Sequence, residues 1–169
     1  MTFGECLQDV FSEEEWNLRA VAANDYEDGY RLLESNEEFL QLTGGYPLTE
    51  EAFLKNITEL PPGVTLESKH FFVAYRCGKP VALIDAVEGY PHDEILFLGL
   101  LVVDKACQRQ QVGSLALAKL ARAAAQSDFT AIRLGCWSQN KKGMKFWQSQ
   151  GFREVSCSHE GKLIIFEKR

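Results

Sequence analysis

The segment Glu94 to Val103 reads EILFLGLLVV and carries no polar side chain after its first residue. A strand with one wet face alternates apolar and polar residues, so a run without alternation belongs to a central strand covered on both faces. The run leads through DKACQRQQVGS into LALAKLARAAA. That alanine-rich segment sets Leu117, Leu120, Ala121 and Ala124 on one face and Lys119, Arg122 and Gln126 on another, the pattern of a helix. A strand, a polar turn and a helix start bring unpaired backbone N–H groups and the positive end of a helix dipole to one point. Such a junction is suited to an anion. Gly113 would let a phosphate approach the backbone, Ser114 adds a hydroxyl donor, and Arg109 supplies charge from the rim. A polar turn with one glycine is also a common structural connection, and alone it decides nothing.

Further strands and helices surround this junction. KHFFVAYRCG and KPVALIDAVEG read as strands joined by a hairpin turn at Gly78-Lys79. TAIRLGCW is another strand, NKKGMKFWQSQG a short helix closed by Gly151, and GKLIIFEK a final strand. Upstream, Trp16 to Asp25 alternates like a strand. Asp25 is placed to cap one helix running through Tyr30, Leu32, Leu33 and Phe39 and stopping at Gly44-Gly45. Thr49 caps the next helix, with Glu50 and Glu51 in its first turn, and that helix ends by Pro61-Pro62-Gly63. The expectation is an α/β fold with a mixed sheet, in one domain over residues 1–169.

Several function classes are disfavoured by charge and composition. A net charge of −6 argues against a nucleic-acid partner, whose phosphates need clustered Lys and Arg. No apolar run approaches the roughly 18 residues that span a bilayer, and the first residues lack a secretory pattern. Five widely spaced cysteines without a CxxC pair read as reduced, buried thiols of a cytoplasmic protein, and their spacing offers no zinc site.

VVDKACQRQQVGSLAL, taken with Asn140, Gly143, Phe146, Gly151 and Phe152, resembles the GCN5-related N-acetyltransferase (GNAT) superfamily. Its first motif is Gln/Arg-x-x-Gly-x-Gly/Ala between strand and helix. Gln108 fills the first position, Gln111 stands in place of the first glycine, and Gly113 is the last. The likeness is good from Lys69 onward and looser before it. It implies a mixed, mostly antiparallel sheet flanked by helices, with acetyl-CoA as cosubstrate. The pyrophosphate would lie on the backbone of Arg109, Gln110, Gln111, Val112, Gly113 and Ser114, next to Gln108. The pantetheine arm would pair along Leu101, Val102 and Val103, where a backbone N–H would also stabilise the oxyanion. Asn140 would bond that arm, cap its helix, or do both. A homodimer is a further implication.

Three departures bear on chemistry. Gln111 is strained if its φ is positive and harmless if its geometry is helical; the latter is expected. Trp147 stands where many members have a tyrosine acid, and core packing is the reading preferred for it. Phe97 occupies the place of the histone-acetylating branch's glutamate base. Asp85, Glu88, His92 and Glu94 are the candidates to replace it. Asp85 stands out because it interrupts VALIDAV, where an unpaired carboxylate would be costly to bury; it is either the base or a paired structural residue. The loop Thr43 to Glu51 would select the acceptor, with Tyr46, Glu50 and Glu51 receiving a cation or the glutamates only complementing a helix dipole. The function expected is acetyl transfer from acetyl-CoA to a primary amine, small or peptidic, by direct attack. The alternatives are a silent acyl-CoA-binding module and a protein–protein adaptor on the same fold.

Overall fold

The computed structural model describes every residue from Met1 to Arg169. Its frame is one seven-stranded sheet in the order β1-β2-β3-β4-β5-β7-β6. The strands are β1 (Trp16–Ala20), β2 (Lys69–Arg76), β3 (Lys79–Glu88), β4 (Ile95–Val103), β5 (Ala131–Trp137), β6 (Arg153–Ser158) and β7 (Leu163–Lys168). Every neighbouring pair is antiparallel except β4 and β5, which run parallel. The helices are α1 (Phe3–Val10), α2 (Glu27–Glu34), α3 (Glu37–Thr43), α4 (Glu50–Lys55), α5 (Val112–Gln126) and α6 (Lys141–Ser149).

The unbroken apolar run of β4 has its explanation in two cores on opposite faces of the sheet. On one face α1 and α5 bury Phe3, Leu7, Val10, Leu117 and Leu120 against Phe72, Ile84, Leu96 and Leu98. On the other, α2, α3 and α4 bury Leu32, Leu33, Leu40 and Phe53 against Phe71, Val73, Leu83 and Val102. Each fully buried large side chain removes enough apolar surface to contribute about 1.5–3 kcal/mol.

The sequence expectations need correcting at several points. The helix expected from Asp25 to Gly44 is two helices, broken at Ser35-Asn36. Asp25 does not cap; it pairs with Arg19 at 2.8 Å. Thr49 does cap α4, accepting from the Ala52 N–H, but that helix stops at Lys55. The hairpin turn is Cys77-Gly78, both with positive φ. Two elements were not anticipated. Helix α1 carries a reciprocal Thr2–Glu5 capping box. Strand β6 is exposed along its whole length and so has no apolar alternation to betray it. Only Cys6 and Cys136 of the five free cysteines are buried, while Cys77 and Cys157 are exposed.

Candidate functional site

Strands β4 and β5 pair only from Ile95↔Ala131 to Leu98↔Leu134 and then diverge. The divergence starts at an irregularity against β3. Asp85 pairs with Leu100 and Ala86 with Leu98, which leaves Gly99 as an extra residue. A bulge of this kind bends and twists its strand. Beyond it a wedge opens between β4 and β5.

Register decides which backbone groups line the wedge. The Asp104 N–H donates to the Val81 carbonyl at 2.9 Å. Polar groups of Leu100, Val102 and Asp104 therefore face β3, and those of Leu101 and Val103 face the wedge. The Val103 carbonyl accepts from Asn36 Nδ2 at 3.0 Å and Gln108 Nε2 at 3.2 Å. What remains open is the N–H and C=O of Leu101 and the N–H of Val103. Val102, expected to offer its backbone, spends it on β3 and buries its side chain.

The turn after β4 is a second array of donors. None of the backbone N–H groups from Gln108 to Ser114 donates to a protein acceptor. Arg109 and Gln111 have φ of 62° and 64°, with ordinary backbone between them. Alternation of this sort gathers successive N–H groups into an anion-binding concavity, here at the N-terminus of the 15-residue α5. The expectation that Gln111 is helical is thus wrong: it adopts left-handed geometry, the conformation that explains why a glycine would serve there. Gly113 lines the site's cavity and also has a packing role. A Cβ on it would meet Phe146 Cζ at 3.3 Å and Val103 Cγ2 at 3.4 Å, so its smallness lets α5 pack closely on α6 and β4.

Wedge, turn, α3 and the start of α6 enclose a cavity of about 1100 Å³. Leu101, Val102, Val103, Gln108, Arg109, Gln111, Val112, Gly113, Ser114 and Asn140 all line it. Gln110 does not; its amide turns back to the Ala106 carbonyl at 3.3 Å. On the opposite wall α3 contributes Glu37, Glu38, Phe39 and Leu42, and Glu38 reaches Lys142 of α6 at 3.0 Å. Asn140 Oδ1 caps α6 by accepting the Gly143 N–H at 2.9 Å, while its Nδ2 has no protein acceptor. A Cβ at Gly143 would lie 2.5 Å from that Nδ2, so a larger residue there would force the Asn140 side chain to shift. Trp147 is buried edge-on to Phe146 and Phe152 and also touches the cavity.

The base candidates separate. Glu88 bonds His70 at 2.6 Å and points to the α1 face, away from the α3 wall; neither it nor His92 or Glu94 lines the cavity. Asp85 is on the α3 side of the sheet. Its Oδ2 is 2.8 Å from Lys69 Nζ, and that ammonium also donates to the Glu59 carbonyl at 2.9 Å. Asp85 Oδ1 is buried without a partner. Burial pushes the carboxyl above its usual range, against the opposing pull of Lys69. Asp85 is not itself a cavity wall; it lies behind Gly99, which is one. Of the Thr43–Glu51 loop only Thr43 reaches the cavity. Tyr46 is exposed to solvent, and Glu50 accepts the Tyr26 hydroxyl.

Two residues escaped the sequence reading. Asn36 lay inside an apparently continuous helix, where an asparagine is a poor former and a signal of a break. Lys69 shares the period-two face of Phe71, Val73 and Tyr75, which marks it as an inward lysine in need of a partner.

A sequence-family model described as the acetyltransferase (GNAT) family matches residues 24–152, beginning upstream of the region where the motifs are clear. No curated protein sequence matches this one significantly. Among solved structures, an acetyltransferase from Thermus thermophilus is similar over 90% of this chain and 96% of its own, at 24% identity and a TM-score of 0.77. The ribosomal-protein-S18-alanine N-acetyltransferase of Escherichia coli matches 90% of this chain and 92% of its own, with 18% identity and a TM-score of 0.64. The PaiA N-acetyltransferase of Thermoplasma acidophilum, solved in complex with coenzyme A, shares 15% identity over 91% of this chain and 98% of its own, with a TM-score of 0.66. These identities show a shared fold.

Proposed function

The chain belongs to the acetyltransferase (GNAT) family and is an acyl-CoA-dependent N-acetyltransferase; from that premise we propose that it moves acetyl from acetyl-CoA directly onto a primary amine. The observation that carries this reading is the continuity of two donor arrays, the open edge of β4 and the free amides of Gln108 to Ser114, along one cavity. A strand edge is fitted to a chain of alternating amides, as pantetheine is, and the turn to its pyrophosphate.

The division of labour follows. Amides of the turn, with Arg109 and Ser114, hold the pyrophosphate. Leu101 and Val103 hold the arm, and the free Nδ2 of Asn140 donates to it. The acceptor enters from the α3 wall, between Glu38, Phe39 and Leu42. Its nitrogen attacks the acetyl carbonyl carbon, forming C–N, and a wedge N–H stabilises the oxyanion. Collapse breaks C–S and releases the CoA thiolate without an acid at Trp147. The proton leaves the nitrogen through water to Asp85, which lies behind the side-chain-free Gly99. The chain acts as a single domain in a reducing, cytoplasmic setting.

Acetyl-CoA turnover against a panel of amines, followed as free thiol, tests the reading. Amine-dependent thiol release is expected. CoA binding without such release would leave a silent binding module. A CoA-induced thermal shift tests the adaptor alternative, since a ligand at 100 times its Kd stabilises by about 2.7 kcal/mol.

A further inference from the structure

We propose that Asn36 is a positioning residue that fixes the register in which the pantetheine arm pairs with β4, an inference that rests on the acetyl-CoA reading above. Asn36 sits at the α2–α3 corner and is only 7% exposed. Its Nδ2 donates to the Leu32 carbonyl at 3.1 Å and the Val103 carbonyl at 3.0 Å. Its Oδ1 accepts from Gln108 Nε2 at 2.6 Å, and that same nitrogen is 3.2 Å from the Val103 carbonyl. The adjacent Ser35 Oγ accepts the Lys105 N–H at 3.2 Å. The corner that begins the α3 wall is therefore joined to the end of β4 and the start of the turn.

The consequence lies in what this cluster withholds. Val103 turns both its polar groups into the wedge, and Asn36 with Gln108 occupies its carbonyl. A ligand of alternating amides then finds one acceptor, the Leu101 carbonyl, flanked by two donors, the N–H groups of Leu101 and Val103. Strand pairing repeats every second residue, so the competing register is displaced by two residues, about 7 Å along β4. That register would need the Val103 carbonyl for an arm N–H. With it occupied, the displaced register leaves a buried donor unpaired, at the full desolvation cost of that group. Asn36 thereby disfavours the displaced register. By anchoring the Val103 carbonyl it also holds the Val103 peptide in place, so that its N–H stays aimed at the arm in the register centred on Leu101. A variant that releases this anchor weakens the arm's pairing, although Asn36 never touches the reacting atoms.

The test compares CoA with its fragment adenosine 3′-phosphate 5′-diphosphate, which lacks the arm, by calorimetry on the full chain. Asn36→Asp keeps the acceptor for Gln108 but turns an oxygen toward the Val103 carbonyl. It should weaken CoA about tenfold, equivalent to about 1.4 kcal/mol, and leave the fragment within about twofold. Gln108→Leu removes the second donor on the solvent side, should fold whether or not the Asp variant does, and should show the same discrimination more weakly. A role confined to supporting the turn would weaken CoA and fragment in parallel, and that result would overturn the proposal. Unchanged CoA affinity in both variants would overturn it too. Failure of the unaltered chain to bind CoA would instead remove the acetyl-CoA reading, and this inference with it.

Discussion

A single backbone angle separates two accounts of Gln111. With φ of 64° it spends conformational energy to hold the turn open, and an L-residue in left-handed geometry costs roughly 1–2 kcal/mol. Gln111→Gly relieves that strain and adds unfolded-state entropy worth roughly 0.5–1 kcal/mol against it. The expected net change is a gain of up to about 1.5 kcal/mol in urea unfolding with CoA affinity unchanged. A loss would show that the Gln side chain contributes contacts. Gly113→Ala runs the other way. Its new methyl meets Phe146 and Val103 at 3.3–3.4 Å, so overpacking of roughly 1–3 kcal/mol outweighs the roughly 0.5–1 kcal/mol that replacing a helical glycine returns, and stability should fall by about 0–2 kcal/mol. The polar turn and its glycine were legible from residue type alone. The left-handed angle at Gln111 was not, because side-chain chemistry does not reveal φ where any residue but glycine is strained.

At the scale of elements, what was legible was periodicity: β2 to β5, α5, α6 and β7 all carry an apolar stripe or run that meets a core. Two of the misses lack one, whereas α1 was missed although Phe3, Cys6, Leu7 and Val10 form a buried stripe on it. Strand β6 pairs only with β7 and buries nothing, and the α2–α3 break is made by Asn36, whose partners lie on distant Val103 and Gln108. The wedge was legible only as an implication of family resemblance, since it depends on where β4 and β5 stop pairing. Helix α6 permits an element-scale test of its Asn140 cap. Asn140→Ala removes both the cap and the free Nδ2 and should cost about 1 kcal/mol of stability. Asn140→Ser retains a capping oxygen but no amide. If Nδ2 holds the pantetheine arm, the Ser variant should keep near-native stability and lose several-fold in CoA affinity. Equal affinity in the Ser variant and the unaltered protein would confine Asn140 to capping.

Over the whole molecule the sheet separates two cores, and its charged groups respond to pH in opposite senses. Arg133 holds Glu167 below the usual carboxylate range, with Arg169 assisting. Glu167 therefore contributes stability above the ordinary carboxylate range, and that contribution is lost as pH falls through its folded value. Glu167→Gln should flatten the loss of stability between about pH 5 and pH 2, measured by urea unfolding. Asp85, raised by burial, has the reverse sign: the folded protein gains stability as the carboxyl protonates and loses it as pH rises through the folded value. Its importance is larger at neutral pH, where it balances Lys69, whose side chain is 3% exposed. Asp85→Asn leaves that ammonium without a counter-charge and should destabilise by roughly 3–5 kcal/mol. A loss of activity in that variant is ambiguous by itself. Replacing both partners, Lys69→Met with Asp85→Leu, removes the buried charges together, and such replacements are often neutral or stabilising. The double variant should therefore recover most of the stability. If Asp85 accepts the amine's proton, kcat/KM stays roughly 10²-fold down at neutral pH, with partial recovery as pH rises and free amine accumulates. If the pair only holds β2, β3 and the Glu59 carbonyl together, activity returns with stability. The thiol-release rate of the double variant from pH 6 to 9, beside its urea midpoint, separates proton transfer from architecture.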